Sequence, residues 1–331
     1  MKRTKISLIA ALGLITTLIF TSCNNEGDDM ETPDETKSTG TANIHATDAA
    51  VDAENVTGVF LSVTGVHVDG NDDENDTTVM FSSTEKFNLM AYQNGETYGL
   101  GSVDLGVGSY SDISFILDEE SPAYVEFKDN STAEVDVEGD NNEYEIVGDF
   151  EIKADAQTDI VADVDLRKAL VKTSSEGKFM LRSTARLVEA NITGTIQGTV
   201  DNYNELKEEK DEQGTEAKLV VFAYAEGSFD ESEMEDQDGA GVEGRFENAI
   251  NSAIVADDGT FTLAFMEESD YEIVVGVYEK SETDPEEKEF DFSEVLETEL
   301  SAGGSLGLVI DGLGVSANSN TNVSIKLGLD L

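Results

Sequence analysis

The sequence predicts an all-β protein: two antiparallel β-sandwich domains behind a signal peptide and a flexible acidic tether. Three observations predict it. Beyond Ile44, apolar residues recur at every second position through most of the chain, the period of a strand buried on one face. Stretches rich in Gly, Asn and Asp, such as "DGNDDENDTT" and "EGDNNEYE", punctuate these runs and favour turns. Helical signals are sparse: "EKFNLMAYQNG", "DLRKALVKT" and "RFENAINSAIV" could each hold one short turn. Many short strands with scattered turns are the pattern of sandwiches.

The chain opens "MKRTKISLIAALGLITTLIF", where Lys2, Arg3 and Lys5 precede an apolar run of about fifteen residues, Ile6 to Phe20. A positive start, a short apolar centre and small residues after it make a secretory signal peptide. The run is shorter than the roughly 20 residues a spanning helix needs. Thr21 and Ser22 lead into Cys23, the single cysteine of the chain, which therefore has no internal disulfide partner. Small residues ending in Cys resemble the lipobox of bacterial lipoproteins, with Phe20 where Leu is commoner. The resemblance implies a lipoprotein signal peptide over residues 1–22, a diacylglycerol (palmitate-type) thioether on Cys23, and an acylated new amino terminus. More than one acyl chain anchors stably where one is marginal.

Residues 23–41, beginning "CNNEGDDMETPDETKSTGT", hold no branched aliphatic side chain and bury too little apolar surface to order themselves. They read as a disordered acidic tether. Asn24 stands where the enterobacterial pattern has an Asp for inner-membrane retention, which implies the outer membrane. Glu26, Asp28 and Asp29 resemble signals that carry some lipoproteins to the cell surface.

The whole chain carries a net charge of −51. Without the signal peptide it is −54, with 17 basic residues against 71 acidic ones. Such a surface repels nucleic acid and anionic bilayers, and salt should stabilise it by screening. At 39% hydrophobic residues the chain can still build cores, and its length suits two domains. A boundary near Ala190–Thr193 divides them into 42–191 and 192–331.

In the first domain, Val59, Leu61 and Val63 alternate with Phe60 and Ser62, and Val66 and Val68 flank His67. Ile113, Phe115 and Leu117 share one face, opposite Asp112, Ser114 and Ile116. Several blocks resemble a known family: "ATDAAVDAENVTGVFLSVTGVHV", "FNLMAYQNGETYGLGSVDLGVGSYSDISFILD", "DVDLRKALV", "GKFMLRSTARLVE" and "GTIQGTV". The family is the bacterial lipoprotein family called domain of unknown function 4382. Ser183 departs from it, where Pro is common. No activity is established for the family, so the resemblance implies fold and location. The second domain is similar to carboxypeptidase regulatory-like, or transthyretin-like, sandwiches through "GTIQGTV", "KLVVFAYAEG" and "AIVADDGTFTLAFMEESDYEIVVGVYEK". It departs by an inserted acidic loop and by Ser-Asp before the Tyr. Gly259 fits a tight hairpin turn because glycine tolerates positive φ, and "GLGSVDLGVG" reads as a second hairpin rather than a phosphate loop.

Few residues suit catalysis. Only His45 and His67 could serve as imidazole bases, and both read as structural or surface residues. No enzyme activity, no catalytic residue and no resident cofactor is expected. Two histidines are also too few for a histidine-built transition-metal site. Hard cations take several oxygen ligands, and Asp69, Asn71, Asp73 and Asn75 stand at alternate positions of one loop as candidates for Ca2+. Glu74 replaces the glycine an EF-hand needs, and Met80 its closing glutamate, so a solvated loop is the competing reading. "DESEMEDQDGAGVEG" is a second acidic loop of the same kind. Tyr92, Tyr98, Tyr110 and Tyr124 offer the rings a sugar platform could use, although Tyr110 reads as a core or corner tyrosine. The sequence therefore predicts a non-catalytic outer-membrane lipoprotein. It would be held to the membrane through Cys23 and would present its domains to an extracellular or envelope protein or a glycan. The alternative is a calcium-assisted glycan-binding or adhesion module.

Overall fold

Strands form where the alternation demands them, and one irregularity shows how strictly. Val59, Leu61, Val63, Val66 and Val68 of the strand Val56–Gly70 are all buried, while Phe60 and His67 are half-buried on the other face. The odd step from Val63 to Val66 would turn the later valines outward in a regular strand. A bulge absorbs it, since the register with both flanking partners shifts between Val63 and Gly65. A side chain at Gly65 would place its Cβ 2.6 Å from the Val79 carbonyl oxygen, so the kink needs glycine.

The structure is a computed structural model that describes residues 38–49, 56–70, 76–139, 142–173, 178–235, 244–281, 290–303 and 305–329. Of these described residues 63% are in strands, and the structure is nearly all β. Through residue 189 the strands join one sheet. From Leu170–Lys172 at one end it passes through Phe179–Leu181, Thr132–Val137, Ala123–Phe127, Val56–Gly70, Gly108–Leu117 and Glu143–Ile152. It continues through Arg186–Glu189, Gln157–Asp165 and Thr39–Ala49 to Tyr98–Gly106. Val135, Phe179 and Leu181 near one end share a core with Leu100, Val103 and Leu105 near the other. The sheet thus folds over a single apolar centre.

From Gly194 onward, a four-stranded sheet (Thr260–Met266, Gly194–Val200, Asn320–Leu327, Thr298–Leu300) faces a five-stranded one. The second sheet contains Asn251–Ile254, Thr215–Ala225, Ser269–Ser281, Asp291–Leu296 and Ile310–Val315. Leu219, Val221 and Ala223 point into the core between them, with Ile196, Leu263 and Ile325 opposite. Val220, Phe222 and Tyr224, on the reverse face, form another core with Phe246, Tyr278 and Val295. Both faces of Thr215–Ala225 are covered, which is why "LVVFAY" is apolar throughout rather than alternating.

Several expectations change. The strand Thr39–Ala49 begins within the predicted tether and runs parallel to Gln157–Asp165. Gly194–Val200 likewise runs parallel to Asn320–Leu327, so parallel pairs occur among the mainly antiparallel ones. Tyr98–Gly106 and Gly108–Leu117 do not form a hairpin, because the first pairs with Thr39–Ala49 and the second with Val56–Gly70 and Glu143–Ile152. Gly259 does take positive φ (82°). However, the turn joins strands of different sheets, Asn251–Ile254 and Thr260–Met266, and is no hairpin either.

Short turns occur at Leu89–Ala91 and at α1 (Leu166–Ala169), within two of the stretches that carried helical signals. The third, "RFENAINSAIV", contains no helix: residues 245–250 turn and Asn251–Ile254 is strand. Instead "YNELKEEKDEQ" forms α2 (Tyr203–Gln213). It is rich in good helix formers and stopped by Gly214 in the left-handed conformation, as helix ends often are. Tyr203 and Leu206 are its buried contacts, too few to show as a stripe in the sequence. Among the described residues no helix is long and apolar enough to cross a membrane.

Candidate functional site

The densest group of buried charges lies where the halves before and after Thr193 meet. It grows from "TDIVADVDLRKA". The strand Gln157–Asp165 is flanked by Thr39–Ala49 on one side and by Arg186–Glu189 on the other. Asp163 sits opposite Arg186 in the antiparallel register. Asp165 ends the strand and caps α1, accepting the Arg167 amide at 3.2 Å. Arg167 and Lys168, on the turn that Asp165 caps, are thereby aimed at the other half.

Arg167 is 3% exposed. Its Nη2 donates to Asp165 at 2.5 Å, its Nη1 donates to the Phe246 carbonyl at 3.1 Å, and its guanidinium lies 5.1 Å from the centre of the Phe222 ring. Lys168 Nζ donates to the Ala249 carbonyl at 2.5 Å and lies 3.6 Å from Asp165. Arg186 donates through Nε to Asp163 at 2.8 Å and through Nη1 to the Phe265 carbonyl at 3.0 Å. Each cation is thus held by a carboxylate of its own half while it reaches a backbone oxygen of the other.

The two phenylalanine carbonyls are exposed to this attack by unusual backbone. Phe246 and Phe265 have φ of 54° and 53°, a region that costs a non-glycine residue on the order of 1–3 kcal/mol. Phe265 lies in a bulge, where Gly194 pairs with Met266 and Ile196 with Leu263. The bulge turns carbonyls out of the ladder. Arg186 takes that of Phe265, and Asn251 Nδ2 takes that of Ala264 at 2.8 Å. Phe246 is fixed by stacking on Phe222, with centroids 4.0 Å apart, and by its amide donating to the Glu233 carbonyl at 2.9 Å.

Behind the junction Asp48 is wholly enclosed. It accepts from Gln93 Nε2 at 3.0 Å and from the Leu166 amide at 3.2 Å. Burial pushes its carboxyl well above the usual range, only partly offset by these hydrogen bonds, and the nearby Asp165 and Asp163 add to the rise. Burial also raises Asp163 against the pull of Arg186, and lowers Lys168. The Tyr144 hydroxyl is buried against the same carboxylates and held protonated chiefly by burial, with the Thr184 and Ala185 backbone pulling the other way.

A raised folded-state value means the folded protein keeps a proton that the unfolded chain gives up. Asp48 therefore contributes no penalty below the unfolded carboxylate range. It lowers stability as pH rises through the interval between the unfolded and folded values. Asp48→Asn is expected to raise the melting temperature at pH 8 and to leave it nearly unchanged at pH 3.5, since Gln93 can turn its amide to accept. Melting curves across that range check this, and an equal effect at both ends would refute it.

The predicted site residues fall elsewhere. Cys23, Asn71, Asp73 and Asn75 lie outside the described residues. Asp69 is described, with its carboxylate 3.0 Å from His67 Nε2. On the opposite ring nitrogen, Nδ1, His67 meets the Thr78 hydroxyl at 2.7 Å. Hydroxyl, imidazole and carboxylate in line resemble an activated nucleophile. The three sit on the outer face of a paired sheet, however, where the strands of His67 and Thr78 spend their backbone donors on one another.

His45 contacts Thr97 Oγ1 at 3.4 Å, well apart from His67 along the fold. Tyr110 is buried, its hydroxyl donating to the Gly106 carbonyl at 2.8 Å, the corner role its position suggested. Tyr98 donates to Glu85 and stacks on Phe87, with Tyr92 tilted against it. Tyr124 stacks on Phe60 at 4.7 Å beneath Lys86. The four tyrosines do not make one row. Among the described residues no three His, Cys, Asp or Glu side chains are placed to hold a metal ion.

Sequence reading missed Asp48, Asp163, Asp165, Arg167 and Arg186. A signal was present, in carboxylates set inside the apolar strand "TDIVADVDL" and followed at once by Arg-Lys. With 71 acidic residues in the chain, it could not be told from the background.

No curated protein sequence matches this chain. Among solved structures, similarity extends to a leucine-rich repeat protein of Bacteroides thetaiotaomicron (9% identity, TM-score 0.18), covering 87% of this chain and 26% of that one. It extends also to a candidate cell adhesion protein of Parabacteroides distasonis (9%, TM-score 0.19), covering 88% and 98%. The Bacillus anthracis TIE protein is a third (11%, TM-score 0.17), covering 88% and 34%. The chain thus spans about a quarter of the length of the first of these. Likenesses of this size transfer neither fold nor role. Residues 39–183, which carry Asp48, Asp163, Asp165 and Arg167, match the family described as Domain of unknown function (DUF4382).

Proposed function

We propose that this protein is a lipid-anchored, non-catalytic component of the outer membrane that presents its two β-rich halves at the cell surface for binding or structural support. The observation that carries the reading is the setting of Cys23. It follows a positively charged and then apolar segment, and it precedes the first strand, Thr39–Ala49, by sixteen residues. A chain of that length reaches at most about 55 Å, enough to hold a folded body clear of lipid headgroups. The partner is an extracellular or envelope protein or a glycan, and the net charge of −51 disfavours nucleic acid.

Metabolic fatty-acid labelling of intact cells, followed by external protease, tests this. Wild type should incorporate label and lose its folded part to protease, and Cys23→Ala should lose the label. Label retained by Cys23→Ala removes the anchor. Label lost, with full protection from protease, places the protein inside the envelope.

A second reading, calcium-assisted glycan binding or adhesion, draws on one feature. Phe60 and Tyr124 form a half-buried stacked pair on the outer sheet face, with Lys86 Nζ 4.4 Å from the Tyr124 ring. Aromatic faces beside a polar donor suit sugar rings. Glycan-array binding that Tyr124→Ala leaves unchanged would remove this reading.

A further inference from the structure

We infer that Arg167, Lys168 and Arg186 form an interlocking clamp that makes the halves on either side of Thr193 unfold as one unit rather than as two independent modules. The chain passes between the halves once, through Ala190–Ile192 and Thr193, and among the described residues no sheet continues across. On those facts alone two modules on a short hinge would be expected, with relative motion the default. The clamp works against that in three ways.

First, its charges cannot be satisfied by either half alone. Asp165 and Asp163 hold the cations in place, but Nη1 of Arg167 and Nη1 of Arg186 point outward to the carbonyls of Phe246 and Phe265. Separation would leave those donors and carbonyls to water while the acids stay half-covered.

Second, the acceptors lie within the second half's own packing. Phe246 is fully buried in the aromatic core that includes Phe222 and Tyr224, and Arg167 lies against the Phe222 ring of that core. Part of one half's cation thus roofs the other half's interior.

Third, Asn318 Nδ2 donates across the junction to the Asn191 carbonyl at 2.8 Å, and the Asn318 amide donates to the Thr193 carbonyl at 2.7 Å. These bonds fix the connecting turn itself. Facing the clamp are Asp163 and Asp165, together with Glu247, whose charge acts on Lys168 from the second half. Lys168 therefore meets opposite charge from both halves.

Scanning calorimetry of the full chain in mild detergent tests the inference. Wild type should show one transition, and Arg167→Met combined with Arg186→Met should split it into two. Two separate transitions in wild type, or one unshifted transition in the double variant, would overturn it. Lys280→Met, which removes a partly exposed ion pair with Glu216, should leave a single transition. If the double variant does not fold, hydrogen exchange on wild type decides. The Phe246 and Ala249 amides should be protected as strongly as those of Leu219–Tyr224. Exchange at least a hundredfold faster at the junction would show the halves parting on their own.

Discussion

Replacing Arg167 with methionine is expected to destabilise the protein by about 3–5 kcal/mol, the cost of breaking a buried ion pair from one side. Methionine preserves most of the stem, so the loss reports on the guanidinium, including its contact over the Phe222 ring. Asp165 would be left with Lys168 at 3.6 Å and the backbone amide of its own turn. The Phe246 carbonyl would keep only the Ala249 amide, at 3.1 Å. Urea unfolding measures the effect. Adding Asp165→Asn to the methionine variant should recover part of the loss, because the stranded charge is then gone. An exposed pair provides the contrast. Lys207 and Asp257 meet at 3.0 Å, but Asp257 is 94% exposed, and breaking that pair should cost at most about 1 kcal/mol. Equal losses at the two sites would show that burial does not govern the junction.

Truncating Phe222 to alanine should cost a similar amount, about 3–5 kcal/mol, for a different reason. The ring stacks on Phe246 with planes 16° apart and lies beneath Arg167. It also fills the space left by Gly276, where a Cβ would come within 3.1 Å of Phe222 Cε2. Its strand is held on both sides, by Asn251–Ile254 and Ser269–Ser281, so the backbone cannot collapse into the cavity. The same truncation at Phe60, half-buried on an outer face, removes less apolar surface and should cost markedly less. Thermal or urea melts of the two variants side by side check this, and equal losses would refute the packing argument.

The architecture was largely legible because alternation is a local property. Ile113, Phe115 and Leu117 had to share a face, and they do. Gly259 was visible as a special position, since glycine takes a turn with positive φ without strain, whereas the need for Gly65 at the bulge emerged only from the fold. What alternation cannot encode is partnership. Nothing in "TANIHATDA" says that it runs parallel to residues more than a hundred positions away. Nor does "GTFTLAF" reveal that its sheet is not the one to which Asn251–Ile254 belongs.

The sequence by itself determined that the chain is all-β, that it is strongly acidic, and that its single cysteine directly follows an apolar segment. These follow from period, composition and position along the chain, each readable over a few residues. Only the tertiary structure decided which of the many carboxylates matter. Asp48, Asp163 and Asp165 differ from the others by being buried, and burial is set by residues distant in sequence. The same holds for Phe246 and Phe265, whose backbone strain is sustained by contacts from outside their own segments. A charge in water and a charge at a dry junction share one letter in the sequence, and their energies part only when the chain has closed around them.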